Sequence, residues 1–172
     1  MNPRHILSLA AIAALGLAVI PGSAVSQQKS LKDQLAGTWR NVSTIITRQD
    51  GTKLEPFGNQ PTGILIFTAD GNMALINMRS DLPKIASNNR LQGTPEEYQA
   101  IMRGTHAYFG TYTVNEAAKS FITSVEGSTF PNDVGEIGSR TVTTITADEL
   151  TYTYPAGTIA GAVAEASWRR AK

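Results

Sequence analysis

The sequence contains no cysteine. Disulfides, thiolate catalysis and cysteine-based metal sites are therefore excluded. Only two histidines occur, His5 and His106, and no metal-ligand cluster has useful spacing. A Gly-x-Ser-x-Gly elbow is missing, as is any credible Ser-His-Asp order. No phosphate-cradling glycine loop is present. Charge of one sign is not in excess either, the formal net charge being +1 over 172 residues. Without a basic run there is no electrostatic footprint for nucleic acid or an anionic membrane. No metal or redox cofactor is expected.

What is present fits one globular domain. Charged residues make up 17% and hydrophobic residues 41% of the chain, values that argue against disorder. Residues 1–26 read as a secretory signal peptide. Arg4 and His5 give a basic start, and Leu7 to Ile20 is an almost unbroken apolar run. Pro21-Gly22 breaks it, and the small residues Ser23, Ala24, Val25 and Ser26 follow. Cleavage is expected after Ser26, with Ala24 as the alternative. The apolar run falls short of the roughly 20 residues that span a bilayer, so no membrane span is expected after cleavage. The mature protein would hold 14 basic and 14 acidic residues and be periplasmic or secreted.

Residues 27–34 are polar and read as a loose arm or a short helix. From residue 35 to 172 the pattern is short strands with turn signals between them. The candidates are Gly37 to Arg48, Gly63 to Thr68, Asn72 to Arg79, His106 to Asn115, Ser120 to Ser128, Glu136 to Thr146, Leu150 to Pro155 and Ala164 to Arg170. Asp50-Gly51 and Asp70-Gly71 are turn signals. One helix is expected between the third and fourth strands. Thr94 stands at its N-cap, Pro95 at the first helical position and Glu97 at the third, a capping box with an N1 proline. It runs to about Arg103, where Gly104 ends it. The irregular segment 80–93 before it is a candidate lid. Eight sequential antiparallel strands have a natural closed solution, the up-and-down barrel, which leaves no exposed edges.

An ordered set of short motifs runs through this region. It comprises Gly37-Thr38-Trp39-Arg40, Pro56-Phe57-Gly58, Pro61-Thr62-Gly63, Asp70-Gly71, Met78-Arg79, Gly93-Thr94-x-Glu96-Glu97-Tyr98, Ala107-Tyr108-x-Gly110-Thr111-Tyr112, Val125-Glu126, Pro131-Asn132, Arg140 and Trp168-Arg169-Arg170. The set resembles the bacterial and fungal lipocalin-like domain family over nearly all of residues 35–171. The resemblance implies a small lipocalin-like barrel, and relatives with this barrel include small-molecule carriers and a few enzymes acting on apolar substrates. It also implies that Trp39 plugs a closed barrel end, covered by Arg169 or Arg170. Two positions depart from the family pattern. Ser124 stands where a histidine is frequent, and Asp133 where a tryptophan is frequent.

Four constellations bear on function. A turn centred near Asp133 would set Glu126 opposite Arg140, with Ile122, Ser124, Val142 and Thr144 on the same face. That pair would either satisfy itself or anchor a polar ligand group. The aromatic set Tyr108, Tyr112, Tyr152, Tyr154 and Trp168 would fill the core or line a pocket. His106, the sole histidine of the mature chain, has no acidic motif beside it and is weak ground for a ligand or catalytic role. Arg79 ends a strand before the 80–93 segment, where it would line the mouth.

The sequence thus predicts an all-β, eight-stranded, antiparallel lipocalin-like barrel that binds a small apolar molecule. Arg79, Tyr108, Tyr112, Glu126, Arg140, Tyr152 and Tyr154 are the expected ligand residues. The alternatives are a cofactor-free isomerase, cyclase or hydratase with Glu126 as base, and a filled barrel acting as an interaction module of the cell envelope. Monomer and dimer are equally open.

Overall fold

The computed structural model describes residues 29–156 and 159–172. The segment read as a signal peptide lies outside them. Nine strands form: β1 (Gly37–Thr47), β2 (Lys53–Leu54), β3 (Thr62–Phe67), β4 (Asn72–Met78), β5 (Thr105–Asn115), β6 (Ser120–Ser128), β7 (Ile137–Ile145), β8 (Glu149–Pro155) and β9 (Val163–Arg170). Two helices accompany them, α1 (Leu31–Leu35) and α2 (Pro95–Gly104). Every ladder is antiparallel, and β9 pairs back onto β1, from Trp39↔Arg170 to Thr47↔Val163. The eight long strands therefore close into an up-and-down barrel.

The ends of those eight strands agree with the sequence reading to within a residue, because turn residues and alternation mark them. One placement is corrected. The two-residue β2 adds to β1 at Ile46↔Leu54 and Thr47↔Lys53, so α2 lies between β4 and β5 rather than between the third and fourth strands. Gly51, at φ +82°, folds the chain back there, and a two-residue strand is too short to show a period. Of the two readings of 27–34, the helix holds from Leu31. Ser30 caps it, accepting from the Asp33 N–H at 3.1 Å, and the Glu116 carboxylate accepts from the N–H groups of Leu31 and Lys32. Leu31 and Leu35 are buried against the barrel.

This helix stoppers one end. Trp39 is fully buried, and its indole N–H donates to the Leu35 carbonyl at 2.8 Å. The Arg170 guanidinium covers the indole, 4.0 Å from the ring centre, and donates to the carbonyls of Ala36 and Gln34 at 2.9 and 2.7 Å. Closure by Arg169 is corrected. Alternation along β9 turns Arg169 outward, where it is exposed.

Above the stopper the inward residues form an aromatic column. Phe67 meets Tyr112 and Phe121 edge-on, Phe121 meets Tyr152 edge-on, and Tyr152 stacks on Trp168. Each such buried side chain contributes about 1.5–3 kcal/mol by leaving water. The column fills the closed half of the barrel.

The other end carries the longer connections. Between β4 and β5, α2 begins with the expected capping box, Thr94 and Glu97 each accepting from the other's N–H. The second Glu97 oxygen accepts from the Ala86 N–H at 2.9 Å, and these bonds, Ala86 first, hold its pKa below the ordinary value. The Tyr98 hydroxyl bonds Arg90 and Gly93. Segment 80–93 is thereby tied to α2 across the open end.

Candidate functional site

The open end gathers polar side chains onto an apolar wall. Alternation on β7 turns Gly138, Arg140 and Val142 inward. A Cβ at Gly138 would sit 2.7 Å from Arg140 Nη1, so glycine leaves the space in which the guanidinium folds back. Arg140 donates to the Thr123 hydroxyl, to the Gly138 carbonyl at 3.0 Å and to the Tyr108 hydroxyl at 3.0 Å. Its guanidinium carbon lies 5.3 Å from the Tyr154 ring centre, 5.9 Å from Tyr108 and 6.0 Å from Phe121. Burial works against its charge, and only in the alkaline range where arginine titrates do the phenol oxygens of Tyr108, Tyr152 and Tyr154 outweigh it and raise its pKa. Phenols carry no charge at neutral pH, so there they supply a hydrogen bond and ring faces but no counter-charge. Among the described residues no carboxylate pairs with Arg140. The ion pairs there are Arg79–Asp81 and His106–Asp133.

The expected partnership of Glu126 with Arg140 is corrected. β6 and β7 pair Phe121↔Arg140 and Ser124↔Ile137, an odd number of residues away from the expected register. An odd slip exchanges the faces. Phe121, Thr123 and Val125 are buried, while Ile122, Ser124 and Glu126 are exposed. The displacement arises because the β6–β7 ladder ends at Ser124↔Ile137 and is symmetric about Phe130 and Pro131, ahead of Asp133 at the end of the 3-10 turn, so Asp133 is not its centre. Glu126 is also the unpaired residue of a β-bulge, with Phe109↔Gly127 on one side and Gly110↔Val125 on the other.

The other expected site residues divide into two groups. Tyr108 and Tyr154 reach the mouth beside Arg140. Tyr112 and Tyr152 belong to the filled half. The Tyr112 hydroxyl donates to the Thr68 carbonyl at 2.8 Å. Burial comes first in raising the pKa of both, well above the ordinary value for Tyr152. Arg79 lines a cleft of about 560 Å³ at the mouth, with Ile46, Leu54, Arg103 and Ile159 among its other walls. The cleft adjoins the tyrosine group, since Ile46, Ile159 and Tyr154 pack into one cluster.

Three further features were not legible. Asn41 Nδ2 donates to Asn77 Oδ1 at 2.7 Å inside the barrel. Asn41 Oδ1 and Trp168 Nε1, an acceptor and a donor on residues directly opposite in the β1–β9 ladder, are buried with no hydrogen-bond partner among the described residues. Finally, His106 Nε2 lies 2.7 Å from Asp133 Oδ2. The Ser128 hydroxyl donates to the same oxygen at 2.9 Å, and the His106 ring is 5.2 Å from that of Tyr108. The available signal was the parity of His106 with Tyr108 on one strand, together with an acid in the turn of the neighbouring hairpin. Elsewhere, no group of three metal-ligating side chains comes together among the described residues.

Solved structures similar to this chain include a redesigned β-barrel, 13% identical over 86% of this chain and 100% of its own, with TM-score 0.44. Another is a de novo designed fluorescence-activating β-barrel, 13% identical over 83% and 99%, with TM-score 0.42. No curated protein matches the chain. The model of the lipocalin-like domain matches residues 36–171, and with the closed barrel just described the chain belongs to the lipocalin-like domain family.

Proposed function

We propose that this barrel binds a small, largely apolar molecule bearing one anionic group, taken at the open end with Arg140 as its anchor. The observation that carries this reading is the inward guanidinium of Arg140, set among aromatic rings without a carboxylate partner among the described residues. A cation in such surroundings is costly unless something neutralises it. A bidentate bond to a carboxylate or sulfonate supplies the missing charge. Tyr108 and Tyr154 give the ligand apolar contact with hydroxyl tips, and the cleft past Ile46 and Ile159 accepts the remainder. The apolar segment 7–20 and the small residues after it support export to the periplasm or the exterior.

Fluorescence titration with two naphthalene probes tests the reading. Anilinonaphthalene sulfonate is anionic, and N-phenylnaphthylamine is neutral. The sulfonate should bind one to one, and Arg140→Met should weaken it ~10- to 100-fold, as loss of a charged hydrogen bond implies. The neutral probe should be little affected. Failure of both probes to bind would instead favour a filled barrel acting as an interaction module.

A further inference from the structure

The pair His106–Asp133 is not needed to hold an anion, and it has the geometry of an oriented base. The Asp133 carboxylate accepts from Nε2–H at 2.7 Å, which leaves the imidazole lone pair on Nδ1. Asp133 is itself fixed. Ser128 donates to the same carboxylate oxygen, and the Phe130 N–H donates to Ser128 at 3.0 Å. The 3-10 turn at Pro131–Asp133 delivers the acid from β6–β7 to a histidine on β5. His106 and Arg140 both lie against the Tyr108 ring, at 5.2 and 5.9 Å from its centre. A molecule lying against that ring meets an imidazole, a guanidinium and a phenol hydroxyl. Base, orienting carboxylate and oxyanion donors are the parts that proton transfer from carbon requires.

We infer that His106 is a general base and acid for proton transfer at a carbon beside a carbonyl, with Asp133 as its positioning residue and Arg140 and Tyr108 holding the carbonyl oxygen. The substrate class is a small apolar β,γ-unsaturated ketone, whose C–H between the carbonyl and the double bond is acidic. His106 Nδ1 removes the proton, and the C–H electron pair becomes the C=C bond of an enolate. The carbonyl π pair moves to oxygen, where Arg140 and Tyr108 stabilise it. The imidazolium then returns its proton to the far carbon of the conjugated system and is restored. The net change is a shift of one proton and one double bond, and no co-reactant is consumed. This rests on the binding reading, in which Arg140 holds one anionic oxygen, and that oxygen is here the enolate's, formed during the reaction.

Nitrobenzisoxazole tests the base directly. Its ring opening breaks one C–H and one N–O bond and leaves a coloured cyanonitrophenolate, whose negative oxygen mimics the enolate. The mature protein should accelerate it at least ~100-fold over the same concentration of free imidazole, the range of positioned acid–base catalysis. His106→Ala should return the rate to background, and added imidazole should restore part of it, which a purely structural role for His106 would not allow. Asp133→Asn should lower the rate while leaving sulfonate-probe affinity within twofold. Wild-type turnover no faster than His106→Ala overturns the inference. If the sulfonate probe still binds through Arg140 in that case, the binding reading stands and the proton-transfer inference alone fails. If Arg140-dependent binding is absent, the binding reading fails, and with it the substrate orientation inferred here.

Discussion

Asn41 donates to Asn77 at 2.7 Å across an intervening strand, and Gly63 is the residue over which they meet. Gly63 of β3 pairs with Asn77 of β4, and a Cβ at 63 would overlap both Asn77 Oδ1 and the Cβ of Asn41. The glycine has no positive φ to explain it, so the requirement is space. Gly63→Ala should therefore part the two amides and leave buried polar groups short of a partner, costing about 1–3 kcal/mol. Thermal denaturation followed by circular dichroism would read this as a midpoint lowered by several degrees. An unchanged midpoint would show that the amide bridge adjusts freely.

Arg170 combines three attachments at the closed end: the Trp39 ring, the carbonyls of α1 and its C-cap, and the Ala147 carbonyl. Arg170→Met should remove the cation–π contact, worth about 1–2 kcal/mol when desolvated. It should also strand carbonyls at a further cost of about 1–3 kcal/mol. Arg170→Lys should fall between Met and wild type, since an ammonium keeps the charge but lacks the fork. Arg169→Met, on the outer face, should change stability by less than about 0.5 kcal/mol. Equal effects at 169 and 170 in urea unfolding would contradict the assignment.

The barrel was legible because its signals are local. Apolar alternation in GILIF, the Asp70-Gly71 hairpin and the Thr94-Pro95-x-Glu97 start each act over a few residues. The site was half legible. Arg140 and Tyr108 stand out as a charged residue and an aromatic on strands of apolar partners, but their pairing depends on register. Register across β6–β7 depends on where a loop places its turn, and an odd error exchanged Glu126 for Thr123. His106 and Asp133 are 27 residues apart, and only closure of the β5–β6–β7 meander brings them together. No local pattern encodes such a contact.

Glu126 gives a clean check of the observed register. It is exposed at the bulge and carries no hydrogen bond to Arg140. Glu126→Gln should leave sulfonate-probe affinity within twofold and stability within about 0.5 kcal/mol. Were Glu126 inside and paired with Arg140, the same change would free the guanidinium and tighten anion binding. Titration of the variant beside wild type separates the two registers.

Alkaline stability follows from the buried phenols. Burial, before any neighbouring charge, pushes the Tyr154 hydroxyl up to about 12, and Tyr112 and Tyr152 are shifted in the same direction. In the unfolded chain these phenols ionise near pH ~10. The folded protein holds their protons more tightly, so their contribution is complete below the unfolded pKa. It falls as pH rises toward the folded value. For Tyr154 alone, two units correspond to about 2–3 kcal/mol lost between roughly pH 10 and 12. Ultraviolet titration of the folded protein should show Tyr154 ionising near pH 12, above the range of exposed phenols. Tyr154→Phe should flatten part of the stability loss over that range, and a loss of the same steepness would contradict the shift.

Arg140 opposes stability and binding to one another. If its role were structural, Arg140→Met would destabilise the barrel as any broken buried interaction does. The pattern of contacts argues otherwise. The guanidinium carries an uncompensated charge at the half-buried mouth, and its hydrogen-bond partners are two hydroxyls and one carbonyl. Removing a buried charge that has no counter-ion recovers its desolvation cost, which offsets the loss of its three hydrogen bonds. Methionine has the length to pack against Tyr108, Phe121 and Tyr154. Arg140→Met should therefore raise the urea midpoint or leave it unchanged, while sulfonate-probe binding weakens ~10- to 100-fold. A variant that loses both stability and binding would place Arg140 in the framework of the barrel. One that gains stability as it loses binding shows a residue kept for its ligand.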